Sequence, residues 1–514
     1  ATLGGIAQED GRYGNTTLGN FWVGAPLASD TVGIQVYGGF NDRGEDRIAY
    51  PSPGPGAAGS NGIRNRNING KISYLFAPGQ DLTLEGGYNY LAYIETPGKS
   101  ATAANTIIER HRRNYQALTW NGDFSGTKAR LSAYREQEKF VVETNGVAST
   151  EPNLVNWTID GMVTVPMGTW NTLNVGGQYI HTKVTGIAGQ DSVPLHPNTD
   201  SVTRQSWSLF AEDHLRPIDG LIITGGVRLD HSDQFGSHFT PRVYVNYTLT
   251  PGLTLRGGIA RGFKAPTIRQ SASNYCMSTG GATPNLRGVL CGNPDLKPEI
   301  STTKEIGLRY DGAGKLGFGV TLFHTNFKNK IVSFPDGGID PPTGLLTYIY
   351  DNLDRVVIKG VEVNATVPVT PALLLTANYT YTDSKRKGGS ETAFDGSSLD
   401  GMPLDKTPTH MANVRLDWRI TDQISAYGQA YYTGEQYWSG FRNGSTKTRT
   451  REASTTFDLG VNFVVNKNFT LRAAVLNLTD KIVPLDLRGR TTGLDGNWMV
   501  DEGRRFWGTA TISF

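Results

Sequence analysis

The chain has 514 residues, more than a single soluble domain usually contains, yet no composition shift, proline-rich hinge or charge run divides it. Its formal net charge of +2 argues against a nucleic-acid partner. Mean hydropathy is negative, and no apolar run approaches the roughly 18 residues of a membrane helix. The 63 glycines and 10% aromatic residues suit a membrane β-barrel, in which only alternate residues meet lipid, and also a large soluble β-protein. Composition alone therefore leaves the fold class open.

Segments in which apolar and polar residues alternate recur along the whole chain. In one of them Leu82, Leu84 and Tyr88 alternate with Thr83 and Glu85, which predicts a β-strand with one apolar face. In a membrane barrel the apolar face would meet lipid and the polar face the lumen. The pattern predicts twenty-two strands: 1–8, 17–28, 31–41, 67–76, 81–95, 109–123, 127–142, 151–166, 171–185, 203–216, 220–232, 239–249, 253–262, 299–311, 315–328, 348–367, 371–384, 407–419, 423–436, 451–464, 468–478 and 503–514.

The connections between these strands alternate in length. The short ones are made of turn-forming residues: 28–31, 78–81, 125–127, 217–220, 251–252, 312–315, 370–372, 421–423 and 466–468. The other set is mostly long: 42–66, 96–108, 186–202, 263–298, 329–347, 385–406, 437–450 and 479–502. Short periplasmic turns and long extracellular loops are typical of an outer-membrane barrel. A soluble β-sandwich or propeller gives no reason for the alternation.

Residues 253–311 hold two distinctive boxes and both cysteines of the chain. GFKAP (262–266) ends one predicted strand, and NPDLKPE (293–299) opens the next. Cys276 and Cys291 lie 15 residues apart in the loop between the boxes. This spacing suggests a disulfide formed in an oxidising compartment, with two free thiols as the alternative. Closing so short a loop would contribute roughly 3 kcal/mol in the chain-entropy description.

The two boxes resemble those of the TonB-dependent outer-membrane receptors of Gram-negative bacteria, and the resemblance extends over the whole chain. The branch that it resembles most is that of the enterobactin and other catecholate-siderophore receptors, which includes the colicin I receptor. Besides the cysteine pair before NPDLKPE, the residues that carry this finer resemblance are NRNINGKISYLFAPGQDLTLEGGY (65–88), NYQALTWNGDF (114–124), GGVRLDHSD (225–233) and KGVEVNATVPV (359–369).

This resemblance implies an all-β fold, a 22-stranded antiparallel transmembrane barrel in the bacterial outer membrane. It also implies import of a ferric siderophore, of catecholate type, with energy from the TonB–ExbB–ExbD system. The C-terminal strand ending in Phe514 resembles the signal read by the barrel-assembly machinery. Further expected partners are outer-membrane lipid, lipopolysaccharide, and a bacteriocin or phage.

Full receptors of this family carry an N-terminal plug, preceded by a segment that contacts TonB. Neither is recognisable in these 514 residues, and Ala1 opens no signal peptide. We therefore expect a single barrel domain, residues 1–514, that begins within strand one. We expect the native receptor to have a plug.

Motifs of catalysis are missing from the sequence. It has no glycine-rich phosphate loop, nucleophile elbow, histidine pair at i, i+4 or CxxC. We therefore predict a transporter rather than an enzyme, with no catalytic residue, no metal site and no resident cofactor.

The predicted ligand site lies on the extracellular loops and upper lumen. A ferric tris-catecholate is anionic and has flat rings, so cationic and aromatic side chains are the candidates. For each residue singly, contact with lipopolysaccharide phosphates at the outer rim is the alternative. The candidates are Arg110, Arg112, Arg113, Lys264, Arg269, Tyr275, Arg287, Trp438, Arg442, Arg488 and Arg490.

Other functions remain open at this point. A receptor of the same family could carry haem, cobalamin or an oligosaccharide, and an empty barrel would act as a passive diffusion channel. Docking of a bacteriocin or phage would be incidental to import. Haem is disfavoured because no histidine lies between Phe263 and Leu296, where haem receptors of the family typically place one.

Overall fold

The computed structural model describes residues 1–28, 30–47, 60–100, 104–149, 151–187, 200–279, 287–389, 391–392, 397–438, 449–481 and 502–514, with the backbone alone at Ala28, Asp354, Trp438 and Arg449. The strands are β1 (Thr2–Gln8), β2 (Thr16–Ala28), β3 (Val32–Arg43), β4 (Gly62–Ala77), β5 (Gln80–Glu95), β6 (Ile107–Phe124), β7 (Thr127–Thr144), β8 (Val147–Ala148), β9 (Asn153–Met167), β10 (Asn171–Thr185), β11 (Ser201–Leu215), β12 (Leu221–Ser232), β13 (Gly236–Thr250), β14 (Leu253–Lys264), β15 (Cys276–Thr279), β16 (Gly288–Cys291), β17 (Glu299–Asp311), β18 (Gly317–Ile339), β19 (Leu346–Thr370), β20 (Leu373–Lys387), β21 (His410–Arg419), β22 (Ile424–Thr433), β23 (Gln436–Trp438), β24 (Arg449–Arg451), β25 (Ser454–Asn466), β26 (Phe469–Leu476) and β27 (Arg505–Ile512).

Helical structure in the described residues is limited to one turn of α-helix, α1 (Ile268–Ser271), and one turn of 3-10 helix, Ala313–Lys315. No helix in these ranges is long and apolar enough to cross a membrane.

The long strands form one closed antiparallel barrel. Each pairs with its neighbours in sequence, and β1 pairs with β27 from Thr2↔Thr511 to Gln8↔Arg505, which closes the sheet on itself. The predicted 22-stranded antiparallel barrel is confirmed. The short strands β8, β15, β16, β23 and β24 belong to its loops.

Alternate residues of each strand face opposite sides of the barrel wall. Leu84 is 54% exposed on the outer face, in register with Ile72 of β4 and Leu118 of β6, which are also exposed. On the inner face, Glu85 accepts hydrogen bonds from the hydroxyls of Tyr37 (3.1 Å) and Tyr115 (2.9 Å). The apolar residues therefore line the lipid side and the hydrogen-bonded polar residues line the lumen, as the alternation predicted.

The prediction of a loop at 329–347 is wrong, because most of this segment is β-strand. Asn329 adopts a positive φ of 57°, and the pairing of β18 with β19 then resumes at Lys330↔Leu353 and continues to Ile339↔Leu346. A proline and two glycines at positions 335, 337 and 338 favoured a loop in the sequence, but cross-strand hydrogen bonds override these local preferences. The β18–β19 hairpin therefore extends well past the neighbouring strands.

The described parts of loop 263–298, residues 263–279 and 287–298, contain short elements of their own. After α1, the hairpin β15–β16 places Cys276 opposite Cys291, and the two cysteines form a disulfide. Strand β16 then pairs in parallel with the start of β19, and its residues Val289 and Leu290 are each 3% exposed. The loop is thereby packed against the long β18–β19 hairpin.

Leu84→Arg tests the assignment of the two faces. The substitution places a charge toward lipid, so it should lower the free energy of unfolding by about 2–4 kcal/mol. Asn89→Arg on the inner face of the same strand is the matched control and should cost less than about 1 kcal/mol. Reversible denaturant unfolding in lipid vesicles measures both. A larger loss for Asn89→Arg than for Leu84→Arg would show that the faces are reversed.

Replacing Cys276 and Cys291 by serine tests the independence of the loop. Neither cysteine lies in a barrel strand, so the barrel should keep its thermal stability. Without the disulfide, the four-residue strands β15 and β16 open more readily, and cleavage between 273 and 298 should speed up at least about tenfold. Limited proteolysis with mass spectrometry gives the rate. Unchanged cleavage, or a destabilised barrel, would contradict this account.

Candidate ligand-binding site

A cavity of about 640 Å³ opens on the inner side of the barrel wall, which we call the lumen pocket. Its walls are inward-facing residues of β6, β7, β9, β10 and β11, and the segment that carries α1 lines another side of it. The pocket therefore lies where a long loop folds back over the lumen.

The α1 turn begins at a capping box. Thr267 accepts a hydrogen bond from the backbone N–H of Gln270, and the Gln270 side chain accepts one from the backbone N–H of Thr267. These reciprocal bonds satisfy backbone donors that a helix start leaves unpaired. They hold the turn directly after the GFKAP box and place Ile268 and Arg269 at the lumen pocket.

Arg204 of β11 anchors this loop to the barrel wall. Its guanidinium donates to the carbonyl oxygen of Pro266 (2.7 Å), to Ser271 Oγ (2.6 Å) and to Gln234 Oε1 (2.9 Å). Its Cζ also lies 5.0 Å from the ring centroid of Phe235. Charged hydrogen bonds of this kind are among the stronger contacts in proteins. The role of Arg204 is not predictable from the sequence, because nothing in the pattern of β11 distinguishes it from other lumen-facing polar residues.

Two predicted site residues come together in the lumen pocket. The guanidinium of Arg269 lies 6.0 Å from the ring centroid of Tyr275 and contacts Met277 Sδ. Arg269 and Tyr275 both line the pocket. A cation beside an aromatic ring can bind an anionic ligand that carries flat rings, because the cation supplies charge and the ring supplies a stacking surface.

The opposite wall of the lumen pocket is acidic. His111 lies between two carboxylates, with Nε2 3.0 Å from Glu109 and Nδ1 2.9 Å from Glu138, and its ring centroid is 4.9 Å from that of Phe140. With Arg204 and Arg269 these two carboxylates give the lining two formal positive and two formal negative charges. Charge alone therefore does not make this pocket select an anion.

The basic run at 109–113 is divided between the two faces of β6. Arg113 faces the lumen and pairs with Glu136. Arg110 and Arg112 share the outer face with the lipid-facing Leu118, and they pair with Glu143 and with Glu151 (3.4 Å). Period-two alternation sends Arg110 and Arg112 outward, so Arg113 is the one arginine of this run on the lumen side. Ligand contact by these three residues stays a prediction.

The remaining predicted residues are scattered. Lys264 is 73% exposed at the end of β14, with Nζ 4.0 Å from Glu299. Arg287 is exposed immediately before β16. Arg442, Arg488, Arg490 and the side chain of Trp438 lie outside the described residues and stay predictions.

A second polar cavity, of about 560 Å³, lies between β22, β25 and the segment before β27. Glu502 lines it and binds the guanidinium of Arg43 at 2.7 Å and that of Arg505 at 2.5 Å. Burial raises the pKa of Glu502, but the hydrogen bond from Arg43 and the charges of Arg43 and Arg505 outweigh burial and lower that pKa below its usual value. The carboxylate therefore stays ionised at neutral pH.

The described residues contain no group of three or more histidine, cysteine, aspartate or glutamate side chains arranged to hold a metal ion.

Comparison with known proteins identifies the family. The family described as "TonB dependent receptor-like, beta-barrel" matches residues 5–478. The iron-regulated outer membrane virulence protein of Vibrio cholerae serotype O1 is 30% identical over 526 residues, which cover 100% of this chain and 74% of that protein. The ferric enterobactin receptor of Pseudomonas aeruginosa is 27% identical over 565 residues, which cover 96% of this chain and 73% of that receptor.

The solved structures agree with the sequence comparison. A variant of the Pseudomonas aeruginosa ferric enterobactin receptor, crystallised with enterobactin, superposes with a TM-score of 0.83 at 25% identity, covering 100% of this chain and 80% of that one. Barrel closure, box sequences and relatives all agree, and the chain belongs to the TonB-dependent receptors of the bacterial outer membrane.

Proposed function

We propose that this chain is the barrel of a receptor that binds a ferric siderophore of the catecholate type and imports it with energy from TonB–ExbB–ExbD. The observation that carries the proposal is the similarity to a ferric enterobactin receptor along 96% of the chain. Of the two sequence relatives named above, one is an outer-membrane protein and the other is a receptor. These relatives point away from an enzymatic function for this chain. No resident cofactor belongs to the proposal, since the ferric siderophore is cargo.

The lumen pocket has a size and chemistry that suit such a ligand. Its volume of about 640 Å³ lies within the range of small-molecule sites. Arg269 would supply positive charge and hydrogen-bond donors to catecholate oxygens, and Tyr275 a ring against which a catechol can stack. Glu109 and Glu138 balance the charge, so they would disfavour small anions that lack aromatic contacts. Arg204 would act as a positioning residue that holds the loop in place.

The proposal also includes partners outside the barrel. TonB–ExbB–ExbD would act through a plug and its preceding segment, as in other members of the family. Outer-membrane lipid and lipopolysaccharide would surround the wall, and a bacteriocin or phage could dock on the loops.

A titration of the full-length receptor, plug included, tests the ligand class. Intrinsic tryptophan fluorescence should report tight, selective binding of ferric enterobactin over ferric hydroxamates, haem and cobalamin. Binding of haem or cobalamin in place of the catecholate would refute the proposed cargo but would leave the family assignment unchanged. Binding of none of the four would favour an oligosaccharide. Steady ion conductance by the full-length receptor would favour a passive channel.

Substitutions at Arg269 and Arg204 distinguish direct contact with the ligand from positioning of loop 263–298. Arg269→Gln should raise the Kd for ferric enterobactin about tenfold, a loss of about 1.4 kcal/mol, with unchanged protease protection of loop 263–298. Arg204→Met should raise the Kd similarly and also expose that loop to protease, because Pro266 and Ser271 lose their donor.

The control for both variants is Arg228→Met. Arg228 also faces the lumen, on β12, but contacts Asp230 and Gln178 rather than the loop. Its substitution should change neither Kd nor loop cleavage. If Arg204→Met weakens binding without exposing the loop, the positioning role is wrong.

A further inference from the structure

The NPDLKPE box (293–299) leads from the β15–β16 hairpin to β17. Residues 293–298 belong to no helix or strand, although Leu296 is only 3% exposed. Two of them, at positions 294 and 298, are prolines and have no N–H to donate to a neighbouring strand. The position of the box therefore depends on its remaining backbone groups and on the polar side chains around it.

Two asparagines of the β18–β19 hairpin hold the end of the box. Asn352 Oδ1 accepts a hydrogen bond from the backbone N–H of Lys297 (2.6 Å), and Asn352 Nδ2 donates to the carbonyl oxygen of Lys297 (2.8 Å). Asn329 Nδ2 donates to the carbonyl oxygen of Pro298 (3.0 Å). These side-chain amides take the place of the ladder of backbone hydrogen bonds that a strand would form.

Asn293 holds the start of the box on the same hairpin. Its Nδ2 donates to the carbonyl oxygen of Tyr350 in β19 (2.9 Å), and its Oδ1 accepts a hydrogen bond from the backbone N–H of Asp295 (2.9 Å). Because an amide has its donors on nitrogen and its acceptor on oxygen, these two bonds define the orientation of the side chain.

The backbone of Asn293 makes a further contact, toward the lumen pocket. Its N–H donates to the carbonyl oxygen of Gln270 in α1 (2.7 Å), and the N–H of Gly292 donates to the carbonyl oxygen of Tyr275 (3.2 Å). Gln270 directly follows Arg269, and Arg269 and Tyr275 both line the pocket. Asn293 therefore bonds to β19 through its side chain and to α1 through its backbone.

Gly292 leaves little freedom between the box and the α1 segment. A Cβ at this position would lie 2.7 Å from the backbone nitrogen of Ala272, the residue that follows α1. Two backbones that pack this closely move together, because a protein interior has few voids that could take up a shift. A displacement of the box from β19 would therefore move α1 and, with it, Arg269.

The β15–β16 hairpin has links of its own. Residues 288–290 of β16 pair with the start of β19, and the disulfide joins β15 to β16. These contacts hold the part of the loop that comes before the box. Asn293 adds a link from β19 to α1 itself, which carries Arg269.

We propose that Asn293 is a positioning residue of the lumen pocket, which fastens α1 to the β18–β19 hairpin and so orients Arg269 and Tyr275 toward a ligand. It complements Arg204, which holds the beginning of the loop on β11. The inference rests on the proposed siderophore function for the identity of the ligand. The link between α1 and the hairpin is a property of the free receptor.

The free receptor supplies the first test. Aspartate at position 293 keeps the shape of asparagine but loses the N–H, so it would present a second acceptor to the carbonyl oxygen of Tyr350. Asn293→Asp should therefore speed hydrogen exchange in segment 267–277 of the full-length receptor at least about threefold, measured by mass spectrometry. The thermal stability of the barrel should not change, because position 293 lies outside the barrel strands.

Asn326→Asp is the matched control. It makes the same change from amide to carboxylate on the outer face of β18 and should leave exchange in 267–277 unchanged. Asn293→Ala, which removes the donor without adding a charge, should speed exchange in that segment to a smaller extent. If neither variant at position 293 alters the exchange of 267–277, the positioning role is wrong.

A double-mutant cycle asks whether Asn293 acts through Arg269. Asn293→Asp alone should raise the Kd for ferric enterobactin about fivefold. In the Arg269→Gln background it should raise the Kd less than about twofold, because the contact that it positions is already absent. A structural defect unrelated to Arg269 would instead multiply the two losses, and that outcome would overturn the proposal.

The two measurements depend differently on the cargo. If the wild type binds no ferric catecholate, the siderophore function fails, and exchange in 267–277 alone decides whether Asn293 fastens α1. If the wild type binds the catecholate and the two losses multiply, the siderophore function stands and the role of Asn293 is wrong.

Discussion

The pairing of β1 with β27 is the constraint on which the rest of the structure depends. A backbone in hydrocarbon must satisfy every N–H and C=O internally, and an open sheet would leave two unpaired edges in lipid. Seven register pairs from Thr2↔Thr511 to Gln8↔Arg505 remove both edges. Once the sheet is closed, the register of each strand is fixed, because a slip of one residue would exchange lipid and lumen faces.

Closure also decides which charged residues can meet a ligand in the lumen. Neighbouring residues of one strand, such as Arg112 and Arg113, lie on opposite sides of a wall that has no gap. The outward cations then face one of two environments. On β6 and β7, Arg110, Arg112 and Lys139 pair with carboxylates. In the described residues, no carboxylate oxygen lies within 4 Å of Arg64 on β4 or of Lys304, Lys328, Arg355 and Lys387 on β17–β20. The same strand geometry thus separates side chains that line the lumen from side chains that face the membrane.

The lumen pocket arises because a loop turns inward. Arg204 donates from the wall to Pro266 and Ser271, the capping box of α1 orients Arg269, and the disulfide fixes the hairpin that follows. The pocket lining contains equal numbers of carboxylates and guanidinium groups. Selectivity for an anionic ligand would therefore come from the orientation of Arg269 and Tyr275, and not from an excess of positive charge.

The sequence by itself determined the barrel, its number of membrane-spanning strands, most of its long and short connections and the family. These depend on period-two alternation, on turn residues and on the two boxes, all of which are local in the chain. Only the tertiary structure decided that 329–347 continues as strand, because pairing with β19 outweighs its proline and glycines. It also decided that Arg204 anchors a loop 62 residues away and that Lys328, Arg355 and Lys387 form one row. Such contacts depend on which strands become neighbours. Closure of the barrel determines this, and no local sequence pattern contains the information.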